Sequence, residues 1–239
     1  MHDATETGLL IENRLLQAVP PQEFEALRPY IRRQDLKPGT IIAHTGDEVR
    51  DCYFPSKGMI SLLSETDKGS AIEVGFTGRE GMVGLAAVLG KKIMPCQALV
   101  QADTECLVID AAVVAALFRE EGRFHDLVLR YVYAVMRQIA QTCVCNHFHT
   151  IEARLCRWLS VMTERSGDRR LSVTQEFLAY MLGVQRTSIG PIANGLQQAG
   201  IIRYSRGRVE IIDIARLKRS ACECYKITKR EYEELYDGV

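Results

Sequence analysis

The residues best suited to specific hydrogen bonding are polar side chains between positions 173 and 212. A segment with helical apolar spacing ends at Gly183, and a second one begins directly afterwards. The first turn of the second segment is polar and contains Gln185, Arg186, Thr187 and Ser188. An arginine at the start of a helix in the major groove can bind guanine O6 and N7, which discriminates by about 1–3 kcal/mol. This order of segments predicts a helix-turn-helix unit.

The elements that must position these side chains are a capped first helix and a basic hairpin. Thr174 is expected to cap the first helix through its hydroxyl, and Gln175 is placed to contact a backbone phosphate. After a loop at 166–170 and the two helices, residues 201–212 predict a hairpin whose turn is a wing suited to phosphates. The polar wing residues are Arg203, Ser205, Arg206 and Arg208.

The distribution of charge agrees with a surface that meets phosphates. The 239 residues carry no net charge, but residues 151–219 contain 12 Lys and Arg against 6 Asp and Glu, whereas residues 1–150 contain 15 against 19. Aromatic residues make up only 7 %, so no stacking platform for single-stranded nucleic acid is indicated. The alternative is an ordinary solvated basic face.

Residues 31–118 have the pattern of a small antiparallel β-roll. Short alternating apolar runs, such as those around Tyr53 and Phe54, lie between regularly spaced glycines. The predicted fold class is therefore α+β, with a β-roll domain at 1–122, a dimerisation helix at 123–149 and a winged helix-turn-helix domain at 150–239.

Residues 123–148 contain no Gly or Pro and predict one long helix with two apolar sides. One side has the 3-4 spacing of a coiled-coil seam and contains Leu129, Val132, Met136, Ile139, Cys143 and Asn146. The other side, expected to face the roll, contains Val128, Tyr131, Val135 and Val144. A helix that is apolar on two sides must be covered twice, which favours a homodimer. The alternative is a helix buried within one chain.

Cysteine and histidine occur together at the end of this helix, in Cys143-Val-Cys145-Asn-His147-Phe-His149. Residues two apart on a helix point about 200° apart, so only Cys143 with His147 and Cys145 with His149 share a face. The four cannot converge on one tetrahedral zinc ion from a single helix, so a site would need two chains, help from Cys156 or an unwound helix end. The Cys222-Glu-Cys224 spacing differs from that of zinc ribbons, so no metal or other cofactor is predicted, although thiol redox sensing stays open.

Other classes of protein find little support in the sequence. No nucleophilic triad, Walker loop or GxGxxG fingerprint occurs, so an enzyme is not predicted. The first residues lack a basic and then apolar leader, and no run of about 18 apolar residues occurs. A cytoplasmic location without membrane contact, and reduced thiols, are therefore expected.

Over about residues 12–220 the chain resembles the Crp/Fnr family of bacterial transcription regulators. The resemblance is carried by the roll glycines with Tyr53-Phe54 and Gly58, the long helix, and Leu178-Ala-x-x-Leu-Gly-Val-x-Arg186-Thr-Ser-Ile. It implies a homodimer that reads an inverted repeat of double-stranded DNA, with RNA polymerase as a partner. A sensor event is expected to alter the packing of the dimer helix and the spacing of the two DNA-reading helices.

Pro191 departs from the family pattern, which often has a second contacting arginine there. A proline inside a helix removes a hydrogen bond at a cost of about 3 kcal/mol. The second helix is therefore expected either to kink at Pro191 or to begin later than Arg186.

The sensor region departs as well, because no carboxylate follows Gly84 and Met94-Pro-Cys96 replaces an Arg-Ser pair. The resemblance nevertheless places an effector pocket at Glu73, Gly84, Leu85, Lys91, Lys92, Cys96 and Gln97. A lysine lacks the bidentate fork of arginine, so control by cyclic AMP is not expected and the effector is unknown. The alternative function is a ligand-binding or signalling roll whose winged helix is a protein-interaction module.

Overall fold

The computed structural model describes residues 11–237 and confirms the α+β architecture. The described helices are α1 Arg14–Gln17, α2 Pro21–Leu27, α3 Ala111–Arg119, α4 Arg123–Phe148, α5 Ile151–Ser166, α6 Gln175–Leu182, α7 Arg186–Gln198, α8 Ile214–Ser220 and α9 Cys224–Glu233. The described strands are β1 Arg32–Leu36, β2 Ile41–Ala43, β3 Asp51–Lys57, β4 Ile60–Glu65, β5 Ala71–Thr77, β6 Gln97–Val100, β7 Thr104–Asp110, β8 Arg170–Ser172, β9 Ile202–Ser205 and β10 Arg208–Ile211.

The roll consists of two antiparallel sheets with strand orders β1-β7-β3 and β2-β6-β4-β5. In β3 the fully buried Cys52 and Phe54 alternate with the half-buried Tyr53, so one strand face points into the core. Gly58 has φ +85°, and a Cβ there would lie 2.5 Å from the Asp103 carbonyl oxygen, so the turn before β4 requires glycine. The predicted roll is confirmed.

The long helix α4 buries one side and exposes another. Its buried residues are Phe124, Leu127, Val128, Tyr131, Ala134, Gln138, Thr142 and Cys145. Val144 was expected to face the roll but is 42 % exposed, because its neighbour Cys145 occupies the buried side of α4 at this point. Among the described helices none is long and apolar enough to span a bilayer.

The winged-helix domain extends from α5 to α8 and includes a sheet of order β8-β10-β9. Asp213 accepts a hydrogen bond from the backbone N–H of Arg216 and so begins α8. The loop expected at 166–170 is shorter than predicted, because Arg170 pairs with Glu210 and starts β8. The buried Trp158 lies in the core of this domain.

This domain rests on the roll of the same chain through buried polar contacts. The indole Nε1 of Trp158 donates to the Glu73 carboxylate across 3.2 Å, which joins α5 to β5. Arg165 forms an ion pair with Glu80, of which only 2 % of the side chain is exposed. The head therefore has a defined position against the roll.

Helix α9, which the sequence groups with the winged-helix domain, contacts α5 of that domain and also lies against α4 and the roll. Tyr232 is 3 % exposed and packs between Phe76 of β5 and Tyr131 of α4. The Tyr236 hydroxyl donates to the Glu80 carbonyl oxygen across 2.7 Å. The C-terminal residues thus tie the head to the roll.

Candidate DNA-binding surface

Helix α6 and the turn after it follow the local signals of the sequence. Thr174 Oγ1 accepts the backbone N–H of Phe177 across 3.1 Å, which confirms the predicted cap. Gly183 ends α6 with φ +61°, the left-handed conformation that favours glycine. A Cβ at Gly183 would lie 2.7 Å from Ile72 Cδ1, so this turn also approaches β5 closely.

The polar side chains predicted to read bases lie at the exposed start of α7. The helix begins at Arg186 after the extended Gln185, and Arg186 and Thr187 are exposed. Ser188 is half-buried, and its backbone N–H donates to the Gln185 carbonyl oxygen across 2.9 Å. The side chains that hold α7 on the core are Ile189, Ala193 and Leu196.

Pro191 lies inside α7 and is exposed. Helix α7 continues past it to Gln198, so the expectation of a later helix start is wrong. Pro191 has no N–H to donate to the Thr187 carbonyl, but both residues are exposed, so water can reach this carbonyl. The polar residues before Pro191 therefore keep helical positions.

The wing is a two-residue hairpin between β9 and β10. Arg206 and Gly207 both have positive φ, at 48° and 76°, as a type I′ turn requires. Ser205 pairs with Arg208 at the end of the ladder. Because this turn is tight, Arg206 and Arg208 lie together at an exposed tip.

The wing arginines differ in their partners. Arg203 forms an ion pair with Glu210 at 2.7 Å, so its charge is partly compensated. Arg170 of β8 lines the same concavity as Arg203, Arg206 and Arg208. The sequence did not reveal Arg170 as a wing residue, because its strand is only three residues long.

These parts form one continuous surface. A Cβ at Gly207 would lie 3.3 Å from Thr174 Cγ2, so the wing turn touches the start of α6. A Cβ at Gly190 would lie 3.6 Å from Gln175 Oε1, so the start of α6 also touches α7. We call this the reading surface, and it comprises Thr174, Gln175, Gln185, Arg186, Thr187, Ser188, Arg170, Arg203, Ser205, Arg206 and Arg208.

The predicted seam of α4 is an apolar stripe on the exposed side of the helix. Leu129, Met136 and Ile139 are 44 %, 64 % and 39 % exposed. Cys143 is also exposed, and the remaining stripe residues, Val132 and Asn146, are half-buried. The opposite side of α4 is covered by the roll and α9, so within the described chain the stripe has no apolar cover.

The predicted effector residues differ in burial and in the elements they contact. Glu73 is 5 % exposed and accepts from Ser61 Oγ at 2.5 Å and from Trp158, so it belongs to the contact between roll and head. Burial raises the pKa of its carboxyl, and the hydrogen bond from Ser61 and the charge of Arg157 oppose this rise.

The other predicted effector residues follow the chain from Gly84 to β6. Gly84 packs on β3, where its carbonyl oxygen lies 3.7 Å from the Cys52 thiol, and Leu85 begins a 3-10 turn. Burial raises the pKa of the Cys96 thiol to about 11, and the buried Gln97 contacts His44 Nδ1 at 3.2 Å. Two exposed side chains complete the set, Lys91 and Lys92. None of these residues lines the polar cleft of about 410 Å³ between the roll, α5 and α9.

Four potential metal ligands meet where α4 ends. Cys145, His149, Cys222 and Cys224 have ligand atoms that all lie within 4.8 Å of one another. The sequence analysis placed Cys145 and His149 on one helix face, as the structure does. It assigned Cys222 and Cys224 to no metal site, because their spacing differs from that of zinc ribbons, and it did not predict where they lie in the fold. The Cys222 thiol lies 3.5 Å from Cys145 Sγ and lowers the pKa of Cys145 through a hydrogen bond.

The fold and the reading surface define a class of protein, a regulator that joins a cyclic-nucleotide-binding-like roll to a winged-helix head. The family profile described as cyclic nucleotide-binding domain matches residues 33–121. The profile described as Crp-like helix-turn-helix domain matches residues 153–220. The chain belongs to the Crp/Fnr family of transcription regulators, which are DNA-binding regulatory proteins and not enzymes.

Individual relatives are distant in sequence. The cAMP-activated global transcriptional regulator Vfr of Pseudomonas aeruginosa is 23 % identical over 204 residues, which cover 80 % of this chain and 94 % of Vfr. A structure assigned to the Crp/Fnr family from Eubacterium rectale has a TM-score of 0.71 at 19 % identity and covers 87 % of this chain and 97 % of its own. The c-di-GMP responsive global regulator CLP of Xanthomonas campestris has a TM-score of 0.66 at 16 % identity and covers 81 % and 100 %. These structures support the fold.

Proposed function

We propose that two copies of this chain form a dimer that reads an inverted-repeat DNA operator, with one α7 in each half-site. The observation that carries this proposal is the reading surface, in which α7 and the basic tip of the wing both approach the start of α6. Arg186 takes the base-reading role, because it is exposed in the first turn of α7 and has the fork that fits guanine. Arg206 and Arg208 take the phosphates.

The apolar stripe supports a second copy of this chain as its cover. The stripe repeats along α4 with alternating steps of three and four residues, so two copies can pair their stripes in one continuous seam. Exposed apolar side chains such as Met136 gain free energy when a partner covers them. A two-fold axis along this seam relates two reading surfaces, as an inverted repeat requires.

The positions of the charged side chains in the roll support independence from cyclic AMP. Between residues 31 and 118 of the roll every lysine and arginine is exposed, including Lys91 and Lys92. Met94 and Cys96 are buried where an anion-binding pair is expected in cyclic-nucleotide-binding members. A cyclic phosphate in this interior lacks a buried cation to offset its desolvation. Calorimetry is expected to detect no cyclic AMP binding at micromolar concentration, and submicromolar binding contradicts this part of the proposal.

RNA polymerase is proposed as the protein partner from family membership alone. The contacts of Trp158 with Glu73 and of Arg165 with Glu80 join each head to its roll, so a change in the roll can shift the head. Transcription in vitro from a promoter that carries the selected operator, with and without the protein, tests the partner and shows the direction of regulation.

Selection of binding sites from random duplex DNA tests the proposal directly. The wild type is expected to enrich one inverted repeat, and Arg186→Ala is expected to lose enrichment at defined base positions. Arg50→Ala, which removes an exposed arginine of the roll, is the matched control and is expected to behave as the wild type. If no sequence is enriched even at low salt, the alternative of a signalling roll with a protein-interaction module replaces this proposal.

A further inference from the structure

The end of the dimer helix and the segment between α8 and α9 bring four soft or borderline ligands together. Cys145 and His149 lie one helical turn apart at the end of α4, and Cys222 and Cys224 come from a position about 77 residues further along the chain. We propose that these four side chains hold one Zn²⁺ ion. This site is separate from the reading surface and from the predicted effector pocket.

The distances suit a single tetrahedral ion. Zn–S bonds of about 2.3 Å and Zn–N bonds of about 2.0–2.1 Å place ligand atoms about 3.5–3.8 Å apart in a tetrahedron. Cys145 Sγ and Cys222 Sγ are 3.5 Å apart, and Cys224 Sγ lies 3.5 Å from His149 Nδ1. All four ligand atoms fall within 4.8 Å, which leaves no room for an iron–sulfur cluster between them.

The orientation of His149 is fixed as a zinc-ligating histidine requires. Its Nε2 lies 3.1 Å from Glu223 Oε1, so the carboxylate accepts the ring N–H and leaves the Nδ1 lone pair directed at Cys224. Glu223 stands between the two cysteines in the sequence, so one turn of chain supplies both thiolates and this carboxylate. Gln141 Nε2 donates to Cys224 Sγ across 3.1 Å.

The surroundings also suit a closed site with three thiolates. Cys145, Cys222 and Cys224 are 1 %, 7 % and 1 % exposed. Three thiolates around Zn²⁺ leave one net negative charge, and the buried Arg154 and Arg157 lie on the first turns of the next helix. Four protein ligands leave no open position, so the site is structural rather than catalytic.

The position of the site gives the ion a mechanical role. His149 is the C-cap directly after α4, and Thr150 caps α5, so a bond to His149 acts on the connection between dimer helix and DNA head. Cys222 and Cys224 join the segment before α9 to the same point. A bound Zn²⁺ therefore fixes the angle at which each head leaves the dimer helix.

Metal analysis of the full-length protein, purified without chelator, tests the inference. About one zinc per chain is expected by mass spectrometry, and Cys222→Ser with Cys224→Ser is expected to lose it. Cys143→Ser is the matched control, because this cysteine is exposed on the same helix and lies outside the cluster. Glu223→Ala is expected to weaken zinc about 10–100-fold, while Glu223→Gln keeps an acceptor and loses less.

Titration of the wild-type protein with Co²⁺ under anaerobic conditions keeps the test independent of variant folding. Intense visible absorption and a thiolate-to-cobalt band are expected for a tetrahedral thiolate site, and Zn²⁺ is expected to displace them. The inference is overturned if the wild type binds neither ion after thiol reduction, if it contains iron with a cluster spectrum, or if Cys143→Ser loses zinc equally. None of these measurements requires DNA, so their outcome is separate from that of the proposed function.

Discussion

The arginines of the reading surface differ in what each can contribute to binding. Arg186 begins α7, where the proposed function assigns its fork to base edges, whereas Arg206 lies at the tip of the wing hairpin and is assigned to the DNA backbone. Arg203 forms an ion pair with Glu210, so its charge is partly neutralised within the protein. We therefore expect Arg186 to determine the sequence specificity of binding and Arg206 to contribute to its salt dependence.

Arg186→Ala is expected to reduce affinity for the selected operator by about 1–3 kcal/mol while nonspecific affinity changes little, because a bidentate base contact is lost. Arg206→Ala is expected to weaken all duplexes about equally and to lower the slope of log K against log salt by about 1. Fluorescence anisotropy on operator and scrambled duplexes at several salt concentrations measures both. Equal effects of the two substitutions on both duplexes contradict these roles.

Local chemistry explains which single residues the sequence could assign. Thr174 and the Arg206–Gly207 turn were predictable, because caps and two-residue hairpins depend on neighbours within a few positions. The pairing of Arg203 with Glu210 and the role of Arg170 depend on strand register, which the sequence left undetermined.

Two elements control how the reading surface is presented, and the first is the turn at Gly183. This glycine ends α6 in the left-handed conformation and also touches Ile72 of the roll. Gly167 ends α5 with a similar φ of +70° but has no atom within 4 Å of a Cβ. Alanine at Gly167 adds only backbone strain, whereas alanine at Gly183 adds backbone strain and a steric overlap. Comparing the two variants therefore separates these two effects on stability.

Gly167→Ala is expected to lower the free energy of unfolding by about 1–2 kcal/mol, the cost of an L-residue in this conformation. Gly183→Ala is expected to cost about 1–3 kcal/mol more, because its Cβ overlaps Ile72 Cδ1. Adding Ile72→Val, which removes Cδ1, should recover part of the difference. Urea unfolding measures all three, and equal losses in the two alanine variants contradict the close approach of turn and roll.

The second element is α4, whose apolar stripe the sequence located correctly from its 3-4 spacing. A second apolar set in the sequence placed Val144 against the roll, where the structure puts Cys145 instead. Which of two neighbouring residues faces inward depends on the partner elements, here the roll and α9, and these partners are absent from a one-dimensional pattern.

Met136→Glu is expected to weaken the dimer by at least about 1.4 kcal/mol, a tenfold change, because it places a carboxylate in the seam. Arg130→Glu adds the same carboxylate on an exposed flank of α4, outside the stripe, and should leave the dimer intact. Sedimentation equilibrium measures both. A wild type that stays monomeric at micromolar concentration, or a dimer unaffected by Met136→Glu, contradicts the stripe as the interface.

At the scale of the whole molecule, head and roll form one body through buried polar contacts and α9. Glu73 is central to this, because it bonds Trp158 of the head and Ser61 of the roll. Its carboxylate is thus already engaged in the contact between the two domains. Because Trp158 is the single tryptophan, its fluorescence reports on the docking of the head.

The raised pKa of Glu73 makes a prediction about stability against pH. A carboxyl whose pKa is higher in the folded than in the unfolded chain contributes stability that is full below its unfolded pKa and lost as pH rises through the folded pKa. Glu73→Gln, which keeps an acceptor without the charge, should gain stability relative to the wild type as pH rises above about 4.3. Urea unfolding followed by circular dichroism measures this, with the exposed Glu105→Gln as control. A difference that does not vary with pH contradicts the raised pKa.

The sequence alone could not predict contacts between residues that lie far apart in the chain. Cys145 with His149 was recognisable as a pair on one helix face, but the approach of Cys222 and Cys224 depends on how α8 and α9 return to α4. The same return places Tyr232 against the roll. Such contacts arise from packing of the complete chain, beyond any local periodicity.

The spacing of half-sites in DNA selected by the wild-type protein tests the central claim most directly. A dimer with one α7 in each half-site predicts an inverted repeat whose half-site centres lie about 10–10.5 base pairs apart, or a multiple of this. Met136→Glu in the same selection should enrich single half-sites without fixed spacing. Direct repeats, half-sites without fixed spacing from the wild type, or no enrichment would contradict a two-fold dimer that reads DNA through α7.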